Sequence, residues 1–244
     1  MNLLSRMRGD DSGVTFVELL VGSTLMLTVM GMMGTAIVTA SDSSRRVRTD
    51  HDLNEEARNA INRVARELRQ AKQLVHVANP AGSGYSATAV TALSIKADFN
   101  GDGCSGNAPA CSGTDNTNNP ESLTYCFDPG ASGSARTYLW LIPSEVTATP
   151  TSCQLPGALP ILAGDVAGFR VEYRGNAYRH DLSPTDGITT WEELDAAPAP
   201  VGDGDGDINT SALTSVTSLV VHLSMAANGR TQDYTTQIDL RNKS

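Results

Sequence analysis

The sequence is short of aromatic residues (5% of 244) and of charge (18%), against roughly 25% charged residues in an average globular chain. Cysteine occurs only four times, which excludes a dense disulfide scaffold. The 18 Lys and Arg are outnumbered by 27 Asp and Glu, a net charge of −9, which excludes a basic nucleic-acid-binding domain. The low charge density excludes a highly charged disordered tail. The familiar catalytic spacings are missing as well: there is no HExxH, no GxSxG and no P-loop, and His51, His76, His180 and His222 are scattered. Gly101-Asp102-Gly103-Cys104-Ser105-Gly106 formally matches GxGxxG, but Asn107-Ala108-Pro109 follows, so it opens no helix. Nothing supports catalysis, and the expectation is a protein that is not an enzyme.

The chain does have one long apolar run. From Val14 to Ser41, 17 of 28 residues are apolar and Glu18 is the only charge; Leu19 to Ser41 is 23 uncharged residues. As a helix these 23 would rise about 35 Å, enough to cross a bilayer core of about 30 Å. No comparable run follows, which excludes a polytopic membrane protein. A secretory signal has an apolar core of only about 7–15 residues, so this run is too long. A plain signal anchor fits the length but leaves the carboxylate unexplained, and charge inside an apolar span is costly and usually functional.

The string Gly13-Val14-Thr15-Phe16-Val17-Glu18-Leu19-Leu20 resembles the class III leader of type IV prepilins and type II secretion pseudopilins, whose usual form is Gly-Phe-Thr-Leu-Ile-Glu-Leu. Val14 stands where Phe or Met is commoner. The resemblance implies cleavage by prepilin peptidase between Gly13 and Val14, N-methylation of Val14, and retention of the apolar helix. It also implies assembly roles for Phe16 and for Glu18, at the fifth mature position. The flanking charges (Arg6, Arg8, Asp10 and Asp11 before; Arg45, Arg46 and Arg48 after) do not set an orientation by themselves. The resemblance implies an extracytoplasmic head. A carboxylate buried in a bundle needs a cationic partner; the amine of Val14 on an adjacent subunit is the nearest candidate. Snorkelling of Glu18 to the interface is the simpler alternative.

Beyond the span, Val47, Leu53, Ala57, Ile61, Val64, Leu68, Ala71 and Val75 recur mostly at steps of three and four, the period of an amphipathic helix. Residues 43–78 carry eight basic and five acidic residues, net +3. Asn79-Pro80 and Gly82 to Gly84 mark the expected helix end. From Asn79 onward the balance is eight basic to eighteen acidic, net −10, which argues against a large phosphate footprint and hence against nucleic acid as a partner. Strand-like runs cover Val90 to Ala97, Ser122 to Phe127, Thr137 to Ile142, Val166 to Arg174, Ser218 to Ser224 and Tyr234 to Leu240. Ala227-Asn228-Gly229-Arg230 reads as a hairpin turn. The expected fold is α+β: a long N-terminal helix, transmembrane then amphipathic, packed on an antiparallel β-sheet head. The expected organisation is a leader over 1–13, a transmembrane or filament-core helix over 14–42, a stalk helix over 43–78 and a head over 79–244. The order is pilin-like. Glu67-Leu68-Arg69-Gln70-Ala71, Val166 to Tyr173 and the ending Asp239-Leu240-Arg241-Asn242 resemble the W-type minor pilins and the J-type minor pseudopilins.

Cys104, Cys111, Cys126 and Cys153 allow three disulfide connectivities, the local choice being Cys104–Cys111 and Cys126–Cys153. Zinc is the alternative, though no CxxC or nearby His supports it. Asp98, Asn100 and Asp102 place oxygens as in the first half of an EF-hand loop, but the twelfth position is Pro109. Asp203, Asp205 and Asp207 repeat the alternation. Both strings are candidate calcium loops, and equally ordinary solvated turns; no other cofactor is expected.

The resemblance thus implies a minor pilin or pseudopilin. It would first sit as a single-pass inner-membrane protein and then enter a type IV pilus or a periplasmic pseudopilus, in initiation or at the tip. Its partners would be other pilins or pseudopilins, prepilin peptidase and the inner-membrane assembly platform. The alternative is a membrane-anchored extracytoplasmic module that binds calcium or a surface ligand and is not built into a filament.

Overall fold

The computed structural model describes residues 14–82, 85–99, 121–129, 137–161, 165–175, 180–181, 187, 189–204, 210–227 and 229–240. In chain order the described elements are α1 (Phe16–Gln70), β1 (Ala71–Ala78), β2 (Thr91–Ala97), β3 (Ser122–Phe127), β4 (Leu139–Ile142), β5 (Leu159–Pro160), β6 (Val166–Gly175), α2 (Trp191–Asp195), α3 (Thr210–Ser215), β7 (Val216–Ala227) and β8 (Arg230–Asp239). A long N-terminal helix followed by antiparallel sheets is the α+β class expected. The chain divides into two compact units, with the boundary between Thr49 and Asp50.

In the second unit, Leu53, Ala57, Ala60, Val64, Ala65 and Leu68 of α1 are buried. Their three- and four-residue steps place them on one face of the helix. Two sheets form where one was expected. β1 to β5 make a five-stranded sheet in sequential order, and β6-β7-β8 a three-stranded one, with every described pairing antiparallel. Each sheet turns one face to a common core, where Val64 and Leu68 of α1 meet Leu93 and Ile95 of β2, Tyr125 of β3, Phe169 of β6 and Leu219 and Leu223 of β7. Each such Leu or Phe contributes roughly 1.5–3 kcal/mol through its removal from water. The five-stranded sheet is buried on its other face too, by a smaller cluster of Ala78, Ala92, Cys126, Ile142 and Cys153, with Trp140 against it. β7 and β8 form the expected hairpin, and Gly229 sits at φ 75° in its turn, a conformation that costs glycine nothing.

The expected stalk helix over 43–78 is corrected. The helix ends at Gln70, and residues 71–78 are strand β1. The cause is a pair of bulges. Ala71, Leu74 and Val77 pair with Ala97, Ile95 and Leu93, with register shifts between Ala71 and Gln73 and between Leu74 and His76. Each bulge inserts one residue, so the buried positions of β1 are spaced by three while those of its partner are spaced by two. A doubly bulged strand therefore carries the three-residue step of a helix.

Candidate functional site

The first unit contains the candidate assembly helix. Its large apolar side chains from Val14 to Val38 are all between 49% and 79% exposed. An 18-residue window averages 1.8 in hydropathy, with none of it buried. A helix apolar on all sides is suited to lipid or to a bundle of like helices, not to a one-sided core.

Its polar groups are satisfied within the helix. The hydroxyls of Ser23, Thr24, Thr28, Thr35 and Thr39 donate to carbonyls one turn back, for example Ser23 Oγ to Leu20 O at 2.9 Å and Thr39 Oγ1 to Thr35 O at 2.8 Å. These five are all the hydroxyl residues between Leu19 and Ala40. An apolar medium offers no water to satisfy such groups, so self-satisfaction removes the cost of placing them there. Gly22, Gly31 and Gly34 meet nothing within 4 Å of where a Cβ would stand.

The amino end of α1 is held by a reciprocal pair. The Glu18 N–H donates to Thr15 Oγ1 at 3.3 Å, while the Thr15 N–H and hydroxyl donate to Glu18 Oε2 at 3.4 and 3.3 Å. The Leu19 N–H donates to Thr15 O at 3.2 Å, closing the first turn. This is a capping box, with Thr15 as the N-cap and Glu18 three residues in. Its signal is local, Thr-x-x-Glu ahead of an apolar run, and is legible in the sequence as Thr15-Phe16-Val17-Glu18. The carboxylate also lies at the positive end of the helix macrodipole, which favours an anion. Of the expected assembly residues, Phe16 and Glu18 are both exposed, as is Val14, the expected methylation position; Gly13, on the other side of the expected cleavage, lies outside the described residues.

Cys126 and Cys153 form a disulfide with Cα atoms 5.5 Å apart, as the local connectivity expected. Both are fully buried, and the bond ties the segment after β4 to the middle of the five-stranded sheet. Cys104 and Cys111 lie outside the described residues, as do Asn100, Asp102, Asp205 and Asp207. Asp98 is 9% exposed and ion-paired with Lys72 at 2.9 Å, so its carboxylate already has a cation. Asp203 is exposed.

No protein-family model, curated protein or solved structure matches the chain. The helix is long and apolar enough to serve as a single-pass membrane anchor.

Proposed function

We propose that the protein is a minor pilin or pseudopilin. In this reading prepilin peptidase cuts between Gly13 and Val14, Val14 is methylated, and the exposed apolar helix passes from the bilayer into the core of a type IV pilus or type II secretion pseudopilus. The observation that carries the reading is the capped amino end of α1: Glu18 is the one carboxylate on a stretch, up to Ser41, that is otherwise uncharged and apolar on all sides, with its hydroxyls bonded back to the helix from Ser23 to Thr39. Processing at Gly13 leaves a positive amine at Val14, one residue before the cap. In a filament core of low dielectric, Glu18 of one subunit then neutralises the Val14 amine of its neighbour and sets the axial register. The buried disulfide supports an oxidising, extracytoplasmic place for residues 50–244.

Intact-mass analysis of the chain expressed with and without prepilin peptidase is the first test. Loss of residues 1–13 and gain of one methyl group is expected, and an unprocessed chain demotes the protein to a plain membrane anchor. The capping box gives a second test, because it separates charge from helix capping. Glu18→Gln keeps the acceptor and removes the charge, whereas Thr15→Val removes the cap and keeps the charge. Glu18→Gln and Glu18→Ala are expected to be inserted and processed but absent from sheared filaments, with Thr15→Val incorporated. Normal incorporation of Glu18→Gln would reduce the carboxylate to a cap.

A further inference from the structure

A second feature lies at the carboxyl end of the apolar stretch. Arg45, Arg46 and Arg48 follow the uncharged run Leu19 to Ser41 within two turns of the same helix, and all three are exposed. At about 1.5 Å per residue, Arg45 stands about 6 Å and Arg48 about 10 Å beyond Ser41. Where the run fills a bilayer core, the polar headgroup layer outside it is about 5–7 Å deep. Helical side chains lean towards the amino end of their helix, which here is back towards the span. The three guanidinium groups therefore reach the depth of the lipid phosphates. Steps of about 100° per residue spread them over about 160° of the helix surface, so they can meet several headgroups at once.

Charge of one sign is concentrated here. Residues 42–49 hold the three arginines against one carboxylate, Asp42, net +2. The amino flank of the span, in contrast, balances Arg6 and Arg8 against Asp10 and Asp11. The next carboxylate along the chain, Asp50, is engaged by Arg230 at 3.2 Å. A planar guanidinium matches the geometry of a phosphate and binds it through two parallel N–H donors. A zwitterionic headgroup brings its own cation beside the phosphate, whereas an anionic headgroup brings none. A net positive collar at phosphate depth therefore selects anionic lipid, by about fivefold for each arginine near the surface.

We propose that Arg45, Arg46 and Arg48 bind the phosphates of anionic phospholipid headgroups in the leaflet at the carboxyl end of the span. The proposal rests on α1 crossing a membrane, and not on processing or filament assembly. In the test, the full-length protein in detergent micelles is given phosphatidylglycerol and phosphatidylcholine in equal amounts, and native mass spectrometry counts the lipids retained. Wild type is expected to retain phosphatidylglycerol preferentially, less so at high salt. Arg45→Gln, Arg46→Gln and Arg48→Gln are each expected to lower the preference about fivefold, and the three together to abolish it. Arg58→Gln, Arg66→Gln and Arg69→Gln together, at exposed positions further along α1, remove the same charge and are expected to leave the preference unchanged. Excess inorganic phosphate is expected not to displace the lipid. Equal retention of the two lipids by wild type, an undiminished preference in the Arg45, Arg46 and Arg48 triple variant, an equal loss in the other triple variant, or displacement by phosphate overturns the proposal. Alkaline carbonate extraction from phosphatidylcholine vesicles tests the span separately: a chain that washes off overturns the span and the lipid site together, and a chain that stays without lipid preference overturns the lipid site alone.

Discussion

The stretches of α1 on either side of Thr49 share one conformation and differ in where their apolar side chains go. Before it, Val14 to Val38 carry large apolar groups on every side, all exposed. After it, the apolar residues keep to one stripe from Leu53 to Leu68, and the stripe is buried against two sheets. In the first stretch a capping box closes the amino end, and each hydroxyl between Leu19 and Ala40 is bonded back to the helix. The second leaves Arg58, Arg66 and Arg69 in water and commits one carboxylate, Glu67, to the interior, where Tyr125 Oη donates to it and Arg63 Nε holds its other oxygen at 3.0 Å. Apolar content therefore does not identify a core; the angular distribution of that content around the helix does.

The sharpest way to break this comparison is to delete the same group on both sides. Leu68→Ala opens a cavity in the main core and is expected to lower the stability of the second unit by about 2–5 kcal/mol. Leu27→Ala, at a site 69% exposed, is expected to leave the stability of the second unit unchanged. Chemical denaturation of the two variants in detergent checks both; equal losses would mean that the exposed stretch is packed in the folded protein. A covalent counterpart comes next. Replacing Cys126 and Cys153 together by Ala removes the constraint on a loop 27 residues long, worth about 3–4 kcal/mol by chain entropy. The loss should vanish when wild type and variant are compared under reducing conditions.

A smaller effect concerns the buried polar pair. Tyr125→Phe leaves Glu67 one donor short and should cost about 1–2 kcal/mol. Burial, and then the Glu67 carboxylate, push the Tyr125 phenol well above its ordinary value of 10.0; burial alone does the same for Tyr173. The folded state thus holds these protons more tightly than the unfolded chain. Their contribution is complete below about pH 10, the unfolded value, and is lost as pH rises towards the folded one. Unfolding curves from pH 8 to 11 should show stability falling above about pH 10, with a shallower fall in Tyr125→Phe. A flat profile in the wild type would contradict the burial of both phenols.

Much of the fold was legible. Ser122–Phe127 forms at the expected bounds, and β2, β6, β7 and β8 lie within a few residues of the runs rich in β-branched and aromatic residues. The local disulfide was also readable, since Cys126 lies in a strand and Cys153 in the segment after the next one. β1 was not, because two bulges give it a helical step. β5 was not, because Leu159–Pro160 is too short to carry a pattern. At the amino end of α1 the capping box is legible in the spacing of Thr15 and Glu18, a signal that the carboxylate's charge overshadows.

By itself the sequence determined what depends on neighbours along the chain: an all-round apolar helix, its cap, the amphipathic stripe after it and the turn at Gly229. These follow from side-chain periodicity and from hydrogen bonds that span three or four residues. Only the tertiary structure decided where the helix stops, that the strands divide into two sheets, and that Tyr125 meets Glu67 across the core. Each of these turns on pairing between distant segments, and a residue carries no local mark of the strand it will meet.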